Sequence, residues 1–140
     1  MTVDPEQLAA VLADRFAAIV PAGIHVRAAD GMLWYSADPG RHPGQLGDCQ
    51  PGPANTHLRQ SFEVRGPAEE DRVTGAAAQA LDELQDYVSE ATHDPWPGQR
   101  MQPPARAQVR GQVLHLWYGE AAGGRVVLSC EPVPLASLRA

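Results

Sequence analysis

The residues able to do chemistry are five histidines (His25, His42, His57, His93, His115), two cysteines (Cys49, Cys130) and a run of carboxylates at Asp82, Glu83, Asp86 and Glu90. A metal site needs ligands at spacings that a turn or helix gathers, such as HxH, HxxxH or HExxH. The histidines make none of these, and the cysteines are not spaced as ligands. One cysteine falls in a Gly/Pro-rich stretch and the other in a β-rich run, which reads as two free thiols. No Ser, Thr or Cys sits at a strand-to-helix elbow, and no glycine-rich turn marks a phosphate site. The expectation is no catalytic residue, no metal and no cofactor, with an enzymatic activity left open.

The carboxylates share the outer side of one amphipathic segment. They read as a solvated face or as a docking face for a basic partner; they lack the loop geometry of a calcium or magnesium site. His93 adjoins a helix end, where a cation suits the negative pole of the dipole.

Recognition chemistry is better supplied. Val26-Arg27 leads to Leu33-Trp34-Tyr35, and at the same spacing Val109-Arg110 leads to Leu116-Trp117-Tyr118. This echo suggests two helix-plus-strands halves, or coincidence in strands that favour aromatics. If Asp30-Gly31 forms a type I′ turn, which needs positive φ at both central positions, Arg27 pairs with Trp34. If the second turn lies near Gly111-Gln112, Arg106 pairs with Trp117. Paired residues share a face. One face then carries Ile24, Val26, Ala28, Leu33 and Tyr35, with Ala107, Val109, Leu114, Leu116 and Tyr118 in the second hairpin. The other carries Trp34, Trp117, Arg27, Arg106, His25 and His115. The first is the core face. The second has the aromatic and Arg composition of binding hot spots, and each Trp has an Arg across from it to stack on. It would meet a protein partner or a second copy, be covered by the chain's own loop, or line a small-molecule site.

Two helices must position these strands. Asp4, Pro5 and Gln7 supply a cap, a first-turn proline and a capping-box partner. Leu8, Val11, Leu12, Phe16, Ile19 and Val20 then form a stripe that Pro21 closes. The longest periodic segment runs over Glu69–Thr92, with Val73, Ala77, Ala80, Leu84, Tyr87, Val88 and Ala91 on one stripe. Pro67 suits its first turn, Glu69, Glu70 and Asp71 suit its positive pole, and Asp94-Pro95-Trp96-Pro97-Gly98 stops it, the Trp packing back on the core. His57 to Arg65 alternates and reads as a third strand, and Arg125 to Glu131 as a sixth. Residues 38–55 are dense in Gly and Pro and read as a flexible loop, with a functional lid as the alternative. The tail after Pro134 reads as irregular.

The expected fold is α+β over residues 1–140 as one domain. Two helices pack on one face of a single antiparallel sheet of about five to six strands, in the order α-β-β-β-α-β-β-β. That order resembles the order in type III secretion chaperones and related small bacterial adaptor domains, without their final helix. It shares no motif with them and implies no site.

An apolar share of 44% in 140 residues suits one globular core. The net charge of −6 opposes general affinity for nucleic acid or anionic membrane. All the basic residues are Arg, which suits a high-GC bacterial genome. No apolar run reaches membrane-spanning length and the N-terminus has no basic leader, so a cytoplasmic location is expected. The functional expectation is a small protein-binding module of adaptor, chaperone-like or immunity type, possibly dimeric. The alternative is a small-molecule-binding or enzymatic domain with a pocket between the sheet and the 38–55 loop.

Overall fold

A computed structural model describes residues 2–38, 53–63, 66, 68–98, 100–120 and 124–139. Helix α1 spans Pro5–Ala17, and Asp4 caps it by accepting from the Glu6 N–H at 3.1 Å. Strands β1 (Ile24–Ala29) and β2 (Met32–Ala37) form the first hairpin. Its turn residues Asp30 and Gly31 have φ of 56° and 71°, as a type I′ turn requires. The register pairs Arg27 with Trp34 and Val26 with Tyr35, as expected from the turn.

A long helix follows, and then the second hairpin. Helix α3 occupies Glu69–Thr92, the predicted span, and ends with His93 in a left-handed conformation at φ 60°. Strands β4 (Ala105–Arg110) and β5 (Val113–Gly119) turn through Gly111 and Gln112, both at positive φ, and pair Arg106 with Trp117. Strand β6 (Val126–Ser129) pairs with β5, and β7 (Val133–Pro134) pairs further along it. The tail is ordered rather than irregular: a 3-10 turn over Leu135–Leu138 buries both leucines.

Three expectations need correction. Residues 57–65 do not form a strand: Ala54–Thr56 is strand β3, and Leu58–Glu63 is helix α2. Leu58 and Phe62 are four apart, a step that keeps one face in a strand and in a helix alike, so the pair could not discriminate. Polar Gln60, exposed between them, is the residue that breaks strand alternation. Second, the end of the predicted 38–55 loop is β3 itself; residues 39–52, with His42 and Cys49, lie outside the described residues. Third, the single sheet of about five to six strands is two sheets, one ordered β1-β2-β3 and one ordered β4-β5-β6 with β7 also on β5. Among the described residues the fold is α+β with three α-helices and two antiparallel sheets.

Helix α3 contacts both sheets and is buried around more of its circumference than one stripe. The predicted stripe is buried throughout, and Ala76, Leu81, Gln85 and Thr92 are buried beside it. On one flank, Gln79 meets Ser61 of α2 at 2.9 Å, and the Tyr87 ring lies 5.8 Å from that of Tyr35 in β2. On the other flank, the Leu81 carbonyl accepts from the Tyr118 hydroxyl of β5 at 2.6 Å, and Gln85 Nε2 donates to Pro103 O at 2.6 Å. The helix thus stands between the sheets, with Leu33, Tyr35, Leu114, Leu116 and Tyr118 turned to the core from both. Trp96 packs back as expected, its ring edge-on to Tyr118 at 5.3 Å. The Tyr35 hydroxyl meets Thr56 Oγ1 at 2.6 Å, so it and the Tyr118 hydroxyl both have partners, while the hydroxyl of buried Tyr87 has none among the described residues.

The chain ends meet at the start of α3. Glu69 Oε2 accepts from the Val3 N–H at 2.8 Å, and its Oε1 accepts from Arg139 Nη2 at 3.3 Å. Asp4 N–H donates to Leu138 O at 2.8 Å alongside. The Val3 N–H, and after it Arg139, hold the Glu69 carboxyl below its ordinary pKa. A carboxyl with a folded pKa below its unfolded one stabilises fully above the unfolded value, and that stability is lost as pH falls through the folded one. Glu69→Gln should therefore cost about 1 kcal/mol at neutral pH, and the difference from wild type should close on acidification below about pH 4. Urea titrations at both pH values check it.

Candidate functional site

Beneath the differing lengths of the hairpins the two halves repeat one row. In the first sheet Arg27, Trp34 and Asn55 lie side by side across β1, β2 and β3; in the second, Arg106, Trp117 and Ser129 do so across β4, β5 and β6. The next row is Val26, Tyr35 and Ala54 in one, and Ala105, Tyr118 and Leu128 in the other. The structural echo therefore matches Arg27 with Arg106, not with Arg110 as the sequence spacing suggested. In both halves the Trp row faces away from the core and the Tyr row faces into it.

The rows differ in what the tryptophan does. Arg27 is exposed, and its guanidinium carbon lies 5.5 Å from the half-buried Trp34 ring centroid, within cation–π range. His25, on the same side of β1, meets Asp38 Oδ1 through Nε2 at 2.9 Å. Trp117 is only 9% exposed, and its Nε1–H donates to Glu120 O at 2.7 Å. Across from it, Arg106 Nε donates to Gly119 O at 3.4 Å. His115, half-buried, lines a hollow of about 440 Å³ with Trp117, Ser129 and Pro132. The six residues expected on one open face thus fall on two sheets. The structure joins His25, Arg27 and Trp34 on one and Arg106, His115 and Trp117 on the other.

The acidic positions also divide. Asp82, Asp86 and Glu90 are exposed along one line of α3, and burial, then the neighbouring Asp82, raise the Asp86 pKa above its ordinary value. Glu83 is half-buried, with Oε2 buried and without a hydrogen-bond partner among the described residues. It sits on the flank of α3 that faces the Tyr35 sheet.

Burial pushes the Cys130 thiol up to about 11, which keeps it protonated and poorly nucleophilic at neutral pH. Burial also pushes the Tyr35 and Tyr118 hydroxyls far above the usual range. Among the described residues no group of three or more His, Cys, Asp or Glu is placed to hold a metal ion, and no helix is long and apolar enough to cross a membrane. The pocket expected against the 38–55 stretch would involve residues outside those described.

Compared with models of known protein families, with curated proteins and with solved structures, the chain matches none.

Two sets of contacts that hold the fold together escaped sequence reasoning. The Tyr118–Leu81 bond had one signal, since a phenol on an apolar face must find an acceptor. The Val3–Glu69–Arg139 clasp joins residues far apart in sequence and had none.

Proposed function

We propose that this chain is a small cytoplasmic protein-binding module, non-enzymatic and of adaptor, chaperone-like or immunity type. It takes its partner on the outer face of the first sheet. The observation that supports this is the Arg27–Trp34 pair. A half-buried indole offers a flat apolar platform, and an arginine stacked on it is already ordered, so little side-chain entropy is lost when its remaining N–H groups meet an acceptor. Aromatic and Arg anchors of this kind dominate binding energy at protein interfaces. The matching partner surface presents an apolar side chain beside a carboxylate. The net charge of −6 disfavours nucleic acid and anionic membrane as the ligand.

A photo-crosslinking side chain placed at Ser36, exposed on β2 two residues from Trp34 and on the same face, should yield a defined covalent adduct with one protein in the native extract. The same group at exposed Ala17 should not. Adducts of equal pattern from both positions would speak against a dedicated face.

A further inference from the structure

We propose that β6 is a self-association edge, pairing antiparallel with β6 of a second copy of this chain about a two-fold axis through Leu128. This goes beyond the Trp34 face and does not depend on it.

Consider the sheet edges among the described residues. Strand β1 lies against α1, β4 lies against α3, and β3 is three residues long. Strand β7 continues the β6 edge but carries Pro134 and follows Pro132, neither of which has an N–H to offer. That leaves Val126–Ser129, whose main neighbour is β5. Val126 and Val127 are 52% and 44% exposed there, the two largest exposures of any strand aliphatic. Edges of soluble proteins are normally shielded by lysine, proline, a bulge or a covering element; β6 is short and carries a bulge toward its Arg125 end, but it has no lysine or proline within the strand.

The backbone sets which residues can pair. The Cys130 N–H donates inward to Leu116 O at 2.9 Å. By strand alternation Leu128 also turns its polar groups inward, while Val127 and Ser129 turn theirs to the open edge. Self-pairing must match outward groups with outward groups, so its centre is Val127, Leu128 or Ser129. Centring on Leu128 sets Val127 opposite Ser129 of the second copy, and Arg125 opposite its Glu131, twice over. Centring on Val127 sets Arg125 opposite Ser129. Centring on Ser129 sets Val127 opposite Glu131. The charges that bracket β6 therefore favour Leu128. Beyond the bulge at Tyr118/Gly119 the Arg125 backbone turns inward, its carbonyl accepting from the Glu120 N–H at 2.8 Å, so at this end the pairing with Glu131 is made by the long arginine side chain and not by the backbone ladder. Two hollows border the strand and receive side chains from the incoming copy: the one beside Trp117, and one of about 660 Å³ lined by Met101, Pro103, Arg125 and Val127.

Sedimentation equilibrium of the full chain tests this. A dimer mass is expected at high concentration, dissociating on dilution and more readily at high salt, which screens the exposed ion pairs. Val127→Lys should leave a monomer with an unchanged circular-dichroism spectrum. Arg125→Glu and Glu131→Arg should each raise the dissociation constant about tenfold, and the double change should restore it. The charge series keeps the test decisive even if Val127→Lys perturbs folding. A monomer at every concentration overturns the proposal, as does a dimer that Val127→Lys leaves intact. So does a double charge reversal that fails to recover what the single changes lose.

Discussion

Tyr118→Ala should lower the thermal midpoint by about 10–20 °C, the loss expected from about 3–5 kcal/mol in a chain of this size. Tyr118 is fully buried where β5, α3 and Trp96 meet. Removing its ring leaves a cavity between the helix and the second sheet and takes away the edge-on partner of Trp96. Removing only the hydroxyl should cost far less. In Tyr118→Phe the Leu81 carbonyl keeps its bond within α3, so the loss should be about 1 kcal/mol. Calorimetry of both variants separates ring from hydroxyl. A midpoint for Tyr118→Ala close to that of Tyr118→Phe would mean that α3 does not depend on the second sheet.

Trp117→Ala should cost about 3 kcal/mol, whereas Trp34→Ala should cost about 1 kcal/mol. The two tryptophans look alike in sequence, each within Leu-Trp-Tyr and each across from an arginine. Burial and hydrogen bonding part them. Trp117 is 9% exposed with its N–H bound to Glu120 O. Trp34 is half-buried, with the Arg27 guanidinium over its ring. A partner-binding face would leave both dispensable for folding, whereas rings covered by the chain itself would not be. The geometry leaves Trp34 partly open and covers Trp117, which is why the two variants are expected to differ. Guanidinium unfolding of the two variants in parallel checks the difference. Equal losses would mean that the Trp34 ring is also covered.

What could be read without coordinates was what local rules decide. Asp30-Gly31 set the turn of the first hairpin, and that turn set every pair in it. The span and both ends of α3 followed from its apolar period and from the proline cluster after Asp94. Long-range choices were hidden. Leu58 and Phe62 fit two periods equally well. The helix α3 showed one stripe, yet Leu81 and Gln85 give it a second contact face, and it meets two sheets where one was expected. Whether a tryptophan is covered depends on the chain segments around it. In the case of Trp117 one of them is the turn at Glu120, which no pattern in the strand announces.

The most direct test of binding through the first sheet is quantitative capture from native extract. Wild type, Trp34→Ala and Trp34→Phe would be used in parallel, each first shown to be folded at the assay temperature. Partner binding at the Arg27–Trp34 face predicts a protein retained by wild type, lost with Trp34→Ala and largely recovered with Trp34→Phe. A partner held equally by wild type and Trp34→Ala would contradict it.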